Sequence, residues 1–330
     1  MANAAFSPKD FKAWVIEEAT TGTIPTITSG LLQLDVDSVS MPSLNVNQNL
    51  TPRSSLGRVL HANDFFQDST VRATEVTLSG TYHNDTGHII LMQSACGVAL
   101  AATIADVTIP TASSTVSGLY GTTEADKTFT LVLAPPDTTD GYNIIMSGCL
   151  CTNFSISAEA GSDGGLYKWS ATISSGQKPI TNNTATEAGT VYSVAPYSIN
   201  TLTSATTVNS IASTVLSGFS VTIDSPAVYS GFSATGYAAF AREPDLSVAA
   251  TAKVKYDSVT RPILNNFNTQ TAHDAAGMFT MTQATATHCS IAIGAGVLTN
   301  VALSEGDIMM LDVEIKAVNV GSDVISFDLA

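Results

Sequence analysis

The sequence predicts a mainly β protein made of two tandem β-domains, each flanked by a short helix. Three observations lead there. Ala, Ser, Thr, Val and Gly dominate a chain in which only 12% of residues are charged, a mixture that favours sheets over helices. Apolar and polar residues alternate over several stretches of strand length. Four of those stretches recur in the same order in the second half of the 330 residues.

Taken in order, Ser7-Pro8-Lys9-Asp10 carries a helix-start signal: Ser as N-cap, Pro at the first helical position and an acid at the third. Phe11, Trp14, Val15 and Ile16 then share one face as far as Glu18, and "TTGTIP" closes the short helix. This segment, within an arm over 1–28, either packs on its own domain or docks on a neighbouring copy.

From Gly30 the pattern becomes that of strands. "LLQLDVDSV" (31–39) and "VRATEVTLSGTY" (71–82) alternate as half-buried strands do. In the second, Val76, Leu78 and Tyr82 face one way, with Glu75, Thr77, Ser79 and Thr81 on the other. "HNDTGH" turns, and "HIILMQSACG" (88–97) reads as a helix ended by Gly97. "DKTFTLVLAPP" is a strand stopped by two prolines, and "GCLCTNFSISAE" pairs with "GLYKWSATISS" across the turn-rich "AGSDGG". Residues 176–212 show little periodicity and read as an interdomain connection with some extended segments. The chain thus divides into a first β-domain over 29–180, a connector over 181–212 and a second β-domain over 213–330.

The repeat supports that division. Leu32, Leu34 and Asp35 match Val221, Ile223 and Asp224; residues 75–85 match 247–257; "LCTNFSIS" matches "VLTNVALS", with Thr152-Asn153 on Thr299-Asn300; and "WSATIS" falls on "LDVEIK" (311–316). "HIILMQSA" and "RPILNNF" supply a helix in each half. The first half is the longer, with an insertion over 98–123.

Charge and motifs exclude several functions. The net charge is -15, from 13 basic and 28 acidic residues, and no basic run exists to neutralise phosphates, which argues against binding nucleic acid by counterion release. No apolar stretch is long enough for a membrane helix. Lys9, Asp10 and Lys12 stand where a signal peptide needs an apolar core, so no secretion signal is expected. Cysteines 96, 149, 151 and 289 are then expected to stay reduced in the cytosol.

Strand alternation places Leu150, Phe154 and Ile156 on one face and Cys149, Cys151, Asn153, Ser155 and Ser157 on the other. The second half has Gly296 and Leu298 where the first has its two cysteines, and no CxxC or HxxxH partner exists, so these thiols read as small strand residues rather than ligands. His61, His83, His88, His273 and His288 are scattered. Within "HNDTGH", Asp85 reads as a turn or helix-cap residue, because its counterpart "KYDSVTR" keeps only the Asp. The pairs Asp35/Asp37 and Asp312/Glu314 read as solvated strand faces, with no calcium loop around them. There is no nucleophile elbow, phosphate loop or dinucleotide fingerprint. No catalytic residue, metal or cofactor is expected, and the sequence does not look like that of an enzyme.

The matched segments resemble a family. The strand beginning "GC", the Thr-Asn running into "FSISAEAG" and the closing "YKWSATISS" resemble the major tail tube proteins of long-tailed bacteriophages, in the form with two tandem tube domains. "VTIDSPAVYSGFSATGYAAFAREPDLSVAATAKVKYD" is similar to their second domain. The resemblance covers roughly residues 29–330, and the insertion over 98–123 departs from it.

It implies β-sandwich or half-barrel domains whose inner sheets join into a closed barrel. Six domains complete a ring, so a two-domain chain needs three copies, and stacked rings make the tube through which DNA leaves the capsid. The implied partners are further copies of the chain, tape-measure and terminator proteins, and viral DNA passing without sequence-specific binding. The implied location is the virion tail, assembled in the host cytoplasm.

Glu75, Thr77, Ser79, Thr81, Cys149, Cys151, Asn153, Ser155 and Ser157 would then line the channel. Small neutral groups with an occasional acid give phosphate no cation to hold. Lys253 and Lys255, on the equivalent side of the second copy's strand, fit only if acids on adjacent strands neutralise them. The competing reading is an adhesin of tandem Ig-like domains that binds receptor or glycan through aromatic loops such as "SGLYGTT" and "VYSVAPY". Another virion structural protein and a glycosidase follow it.

Overall fold

The computed structural model describes residues 6–42, 47–50, 65–68, 74–98, 100, 107–109, 128–136, 143–182, 189–202, 206–212, 216–230, 239–242, 246–269, 278–283, 289–318 and 324–329. Most of the insertion over 98–123 lies outside them, as do His61, His273, His288 and "SGLYGTT".

The alternating stretches form one large sheet. It contains a row of eight neighbouring antiparallel strands, in the order Ser38–Val39, Thr74–Thr81, Lys168–Ser175, Asn143–Glu159, Leu216–Asp224, Ser247–Lys255, Met310–Ala317 and Gly296–Ser304. The first four come from the first half of the chain and the last four from the second, in corresponding order. Among the described residues, Ser38–Val39 and Gly296–Ser304 each pair on one side only.

A detail of register ties the two sets together. Asn143–Glu159 skips Thr152 between its pairings with Thr172 and Ile173. Gly296–Ser304 skips Thr299 between its pairings with Glu314 and Ile315. Each skipped threonine donates its hydroxyl to the backbone carbonyl of the residue at the bulge, Thr152 to Thr172 at 3.2 Å and Thr299 to Glu314 at 3.3 Å. Thr152-Asn153 therefore lies on Thr299-Asn300, and 169–174 on 311–316, as the sequence suggests.

Two other matches need correction. Val76 faces Ile173 whereas Ala250 faces Ile315, so 75–85 is displaced by two residues from its proposed counterpart while keeping the same face. The strand equivalent to Leu216–Asp224 is Ser38–Val39, which pairs with Leu78 as Phe219 pairs with Ala252. Leu31–Leu34 lies beside Lys12–Glu17 instead. Between them the chain crosses strand Thr74–Thr81 at Gly80, where an added Cβ would sit 2.0 Å from the Asp35 carbonyl oxygen. Only glycine permits that crossing.

The N-terminal helix is also corrected. Ser7 and Asp10 form the capping box, but it starts a single 3-10 turn, Pro8–Asp10. The chain then runs as strand Lys12–Glu17 between Leu31–Leu34 and Phe129–Ala134. Ala13, Trp14 and Val15 are all buried, because Ala13 and Val15 face the main core while Trp14 enters a smaller cluster with Ile27, Leu31 and Val132. A strand covered on both faces has no alternation to read.

One face of the sheet is sealed. Helix α1, Thr86–Cys96, lies against it, buried from Gly87 to Cys96, with Asp85 capping its start and Gly97 at φ 66° ending it. A second sheet covers more, in the order Ile211–Ala212, Thr207–Val208, Phe279–Met281, Ser290–Ile293, Ile325–Asp328 and Val107–Ile109. Phe219 of the large sheet meets Phe279 of the second with ring centroids 6.5 Å apart. The buried side chains of both halves fall in one continuous cluster. Helix α2, Arg261–Asn268, rests on strand Gly296–Ser304 through Ile263, its one buried residue.

The long strand Asn143–Glu159 also serves a second branch, through Phe129–Ala134 and Lys12–Glu17. It turns at Gly148, whose φ of 63° a side chain would resist. Buried Glu18 fixes that turn. It accepts from the amides of Gly148 at 2.8 Å and Gly22 at 2.6 Å, from Thr130 Oγ1 at 2.6 Å, and from the Thr128 hydroxyl. Removing it strands buried donors at about 1–3 kcal/mol each. Glu18→Ala is expected to lower the unfolding free energy of the subunit by about 3 kcal/mol or more in urea titration; a change below about 1 kcal/mol would show the carboxylate to be incidental.

Candidate functional site

The other face of the eight-stranded row is open and polar. Residues directly across from one another share it, so its rows can be read from the pairings. One runs Thr77, Thr172, Asn153, Asp224; the next Ser79, Ser170, Ser155, Thr222; the third Thr81, Lys168, Ser157, Ser220, Thr251, Glu314. Their neighbours along each strand point into the core: Val76 and Leu78, Phe154 and Ile156, Val221 and Ile223, Val313 and Ile315 are all buried. Glu75, Thr77, Ser79, Thr81, Asn153, Ser155 and Ser157 therefore lie together on the open face. An open depression of about 470 Å³ on this face includes Ser157, Ser220, Thr251, Lys168, Lys253 and Asp312 in its lining.

Cys149 and Cys151 do not belong with them. Both are 0% exposed. The extra residue at Thr152 shifts the alternation by one, so the cysteines fall on the core side with Phe154 and are not channel candidates. Burial pushes the Cys151 and Cys289 thiols up to about 12, and it raises Cys96 and Cys149 as well, with Cys151 beside the first and Glu18 beside the second adding to the effect.

All four are free thiols sealed in the core. Their raised values also set an alkaline limit. The stability they contribute is present below the unfolded thiol's range and is lost as pH rises from about 9 towards 12, because only the unfolded thiols ionise freely there. Thiol reagents at pH 8 are expected to leave the folded subunit unlabelled and to label it after denaturation; rapid labelling of the folded subunit would contradict this burial.

Three lysines on the open face have acids near or across from them, while Lys316 stands between Ala249 and Val297. Lys168 Nζ lies 3.0 Å from Asp37 Oδ2, Lys255 lies 3.7 Å from Asp257, and Lys253 stands directly across from Asp312. The adjacent strand thus sets an acid across from Lys253, whereas the acid beside Lys255 comes from its own segment and the residue across from it is Met310.

The polar residues singled out elsewhere are structural. Asp85 Oδ1 accepts from the amides of Gly87 and His88, and from His88 Nδ1 at 3.0 Å. His83 bridges Asp35, at 2.9 Å, and the Val194 carbonyl, at 2.6 Å. Within "VYSVAPY" only Tyr197 is buried, near Tyr82 and Tyr167; Tyr192 lies half-exposed on His83, and Val191, Ser193, Ala195 and Pro196 are exposed. Among the described residues no group of His, Cys, Asp and Glu could hold a metal ion, and no helix is long and apolar enough to cross a membrane.

Sequence reasoning missed Arg242. Its guanidinium donates to the carbonyls of Cys151 at 3.1 Å, Ser225 at 3.0 Å and Ser94 at 2.6 Å, and to both serine hydroxyls. Removal from water lowers its pKa. It joins the Thr152 bulge, the last turn of α1 and the strand after the connector. The one signal was an arginine in a chain with so few, next to the "EPDLS" bend.

A family model described as phage tail tube protein matches residues 12–317. No curated protein matches the sequence.

Proposed function

The chain belongs to the phage tail tube protein family, and on that premise we propose that three copies close into a ring whose stacking builds the tube. The observation that carries this reading is the row of eight antiparallel strands, sealed on one face, polar on the other and, among the described residues, unpaired at both ends. Free sheet edges are an aggregation hazard that ring closure removes. Three such rows make a barrel of about twenty-four strands, roughly 48 Å across at the backbone for strands about 4.8 Å apart and tilted near 40°. That leaves a bore for a DNA double helix between the side chains of opposite walls.

The repeated strand order and the shared threonine bulge favour duplication of one tube domain, with units at 29–180 and 213–330 and a connector over 181–212. The open face is then the wall of the channel. Asn153, Ser155 and Ser157 lie there with Glu75, Thr77, Ser79 and Thr81, and the second half adds Ser220, Thr222 and Thr251. Small hydroxyls, a net acidic chain and the acids set near Lys168, Lys253 and Lys255 offer phosphate little to hold, so DNA slides through without specific binding. Tape-measure and terminator proteins would be the remaining tail partners, in a virion assembled in the host cytoplasm.

Isolated rings are expected to weigh three chains by native mass measurement; six full-length chains per ring would refute the trimer. In assembled tubes, a Ser155→Cys variant is expected to react with a small maleimide and to be protected from a reagent too bulky for the bore. Equal labelling by both would place this face outside.

A further inference from the structure

One leucine stands where the sheet should be sealed. Leu303 pairs with Leu311, which is 0% exposed, so its side chain is on the core face, yet it is 45% exposed. The shared threonine bulge places it on Ile156 of the first half, which is 1% exposed. Ile156 has Trp169 on one side and Val221 on the other. Leu303 has only its inner neighbour, because Gly296–Ser304 ends the row. What it lacks is the strand that would correspond to Leu216–Asp224, and in this chain that counterpart is the strand at the opposite end, Ser38–Val39.

We infer that the seam inside the chain is the template for the seam between chains: Gly296–Ser304 of one copy pairs antiparallel with the Ser38–Val39 edge of the next in the same register. The proposal rests on the ring reading above and adds the partner strand and its alignment. At the internal seam Ser157 faces Ser220 and Ile156 faces Val221. Ser157 corresponds to Ser304 and Ile156 to Leu303 through the bulge. Ser220 and Val221 correspond to Ser40 and Met41, counted on from the Val39–Leu78 and Phe219–Ala252 pairs.

Between copies, Ser304 therefore faces Ser40 on the open side and Leu303 faces Met41 on the core side. The chemistry agrees. Ser304 meets Ser40 on the polar side, where the Ser40 hydroxyl accepts from the Thr77 amide at 2.7 Å, while Met41, already packed against the core, supplies the missing apolar neighbour. Ser40 already extends the edge inward, its amide donating to the Thr77 carbonyl at 2.9 Å.

Paired cysteines test the register in assembled tubes. Ser40→Cys with Ser304→Cys, and Met41→Cys with Leu303→Cys, each bring Cα atoms to about 4.5–5.5 Å, within disulfide reach. Ser38→Cys with Ser304→Cys, two residues out of step, leaves them roughly 8 Å apart, beyond it. On oxidation both in-register pairs are expected to convert the single-chain band into covalently linked chains, and the out-of-step pair to leave it unchanged.

Assembled tubes in which neither in-register pair links, or in which the out-of-step pair links as well as they do, overturn the register while the ring reading stands. Unaltered protein that forms neither rings nor tubes sinks the ring reading itself. Leu303→Asp supplies a second readout, because an exposed position tolerates charge in the isolated subunit. It is expected to abolish ring formation without moving the subunit's melting temperature. Rings that form normally with this variant overturn the proposal.

Discussion

Everything in this fold hangs on one strand that is interrupted twice. Among the described residues, Asn143–Glu159 is the strand that joins both branches of the large sheet and both halves of the eight-strand row. It can do this because it is not regular. At Gly148 a positive φ re-aims the backbone, and the Glu18 carboxylate takes the amide that this exposes. At Thr152 an extra residue shifts the alternation, and the released Cys151 carbonyl is taken by Arg242 while Ser225 donates to that of Thr152. A buried carboxylate and a desolvated guanidinium thus each hold a dislocation in place. Neither charge sits in a pocket that presents it to a ligand; both serve the backbone.

Much of the architecture was legible because it depends on local chemistry. Helix α1 begins at an Asp cap and ends at a glycine, and both residues announce it. The Thr-Asn equivalence was legible because the bulge uses the threonine hydroxyl in both halves, so the side chain survives wherever the geometry does. Other features depend on what lies across the sheet. The six-residue strand Lys12–Glu17 reads as a helix because its capping box is genuine and the burial of Ala13, Trp14 and Val15 in succession removes the alternation. Cys149 and Cys151 read as open-face residues because counting by twos assumes an unbroken ladder, and nothing in "CLCTN" shows the slip at Thr152. Arg242 acts on groups distant in sequence, and no pattern near it could name them.

The two faces of the eight-strand row divide the work of a tube subunit. One is packed to the density of a protein interior by side chains from both halves and a wholly buried helix, which fixes the curvature and leaves little freedom at the seams. The other is made mostly of short polar side chains, with lysines and acids interspersed around one open depression. The sealed side gives the subunit its core, and the open side is left to solvent or to whatever the assembly sets against it.

The two halves are also interlaced. Strand Val107–Ile109 completes the second sheet by pairing with Ile325–Asp328, and buried Asn84 donates to the Leu329 carbonyl at 2.7 Å. The cover over the first half therefore includes backbone made roughly 150 residues after it, on the order of ten seconds at ribosomal speed. During that interval the first half has its strands but not its lid. A ring-forming edge on a nascent chain would invite neighbouring chains on the same message to pair too early. The second sheet can close over the core only once residues 325–329 have emerged, so the order of synthesis sets when the two halves become one packed unit.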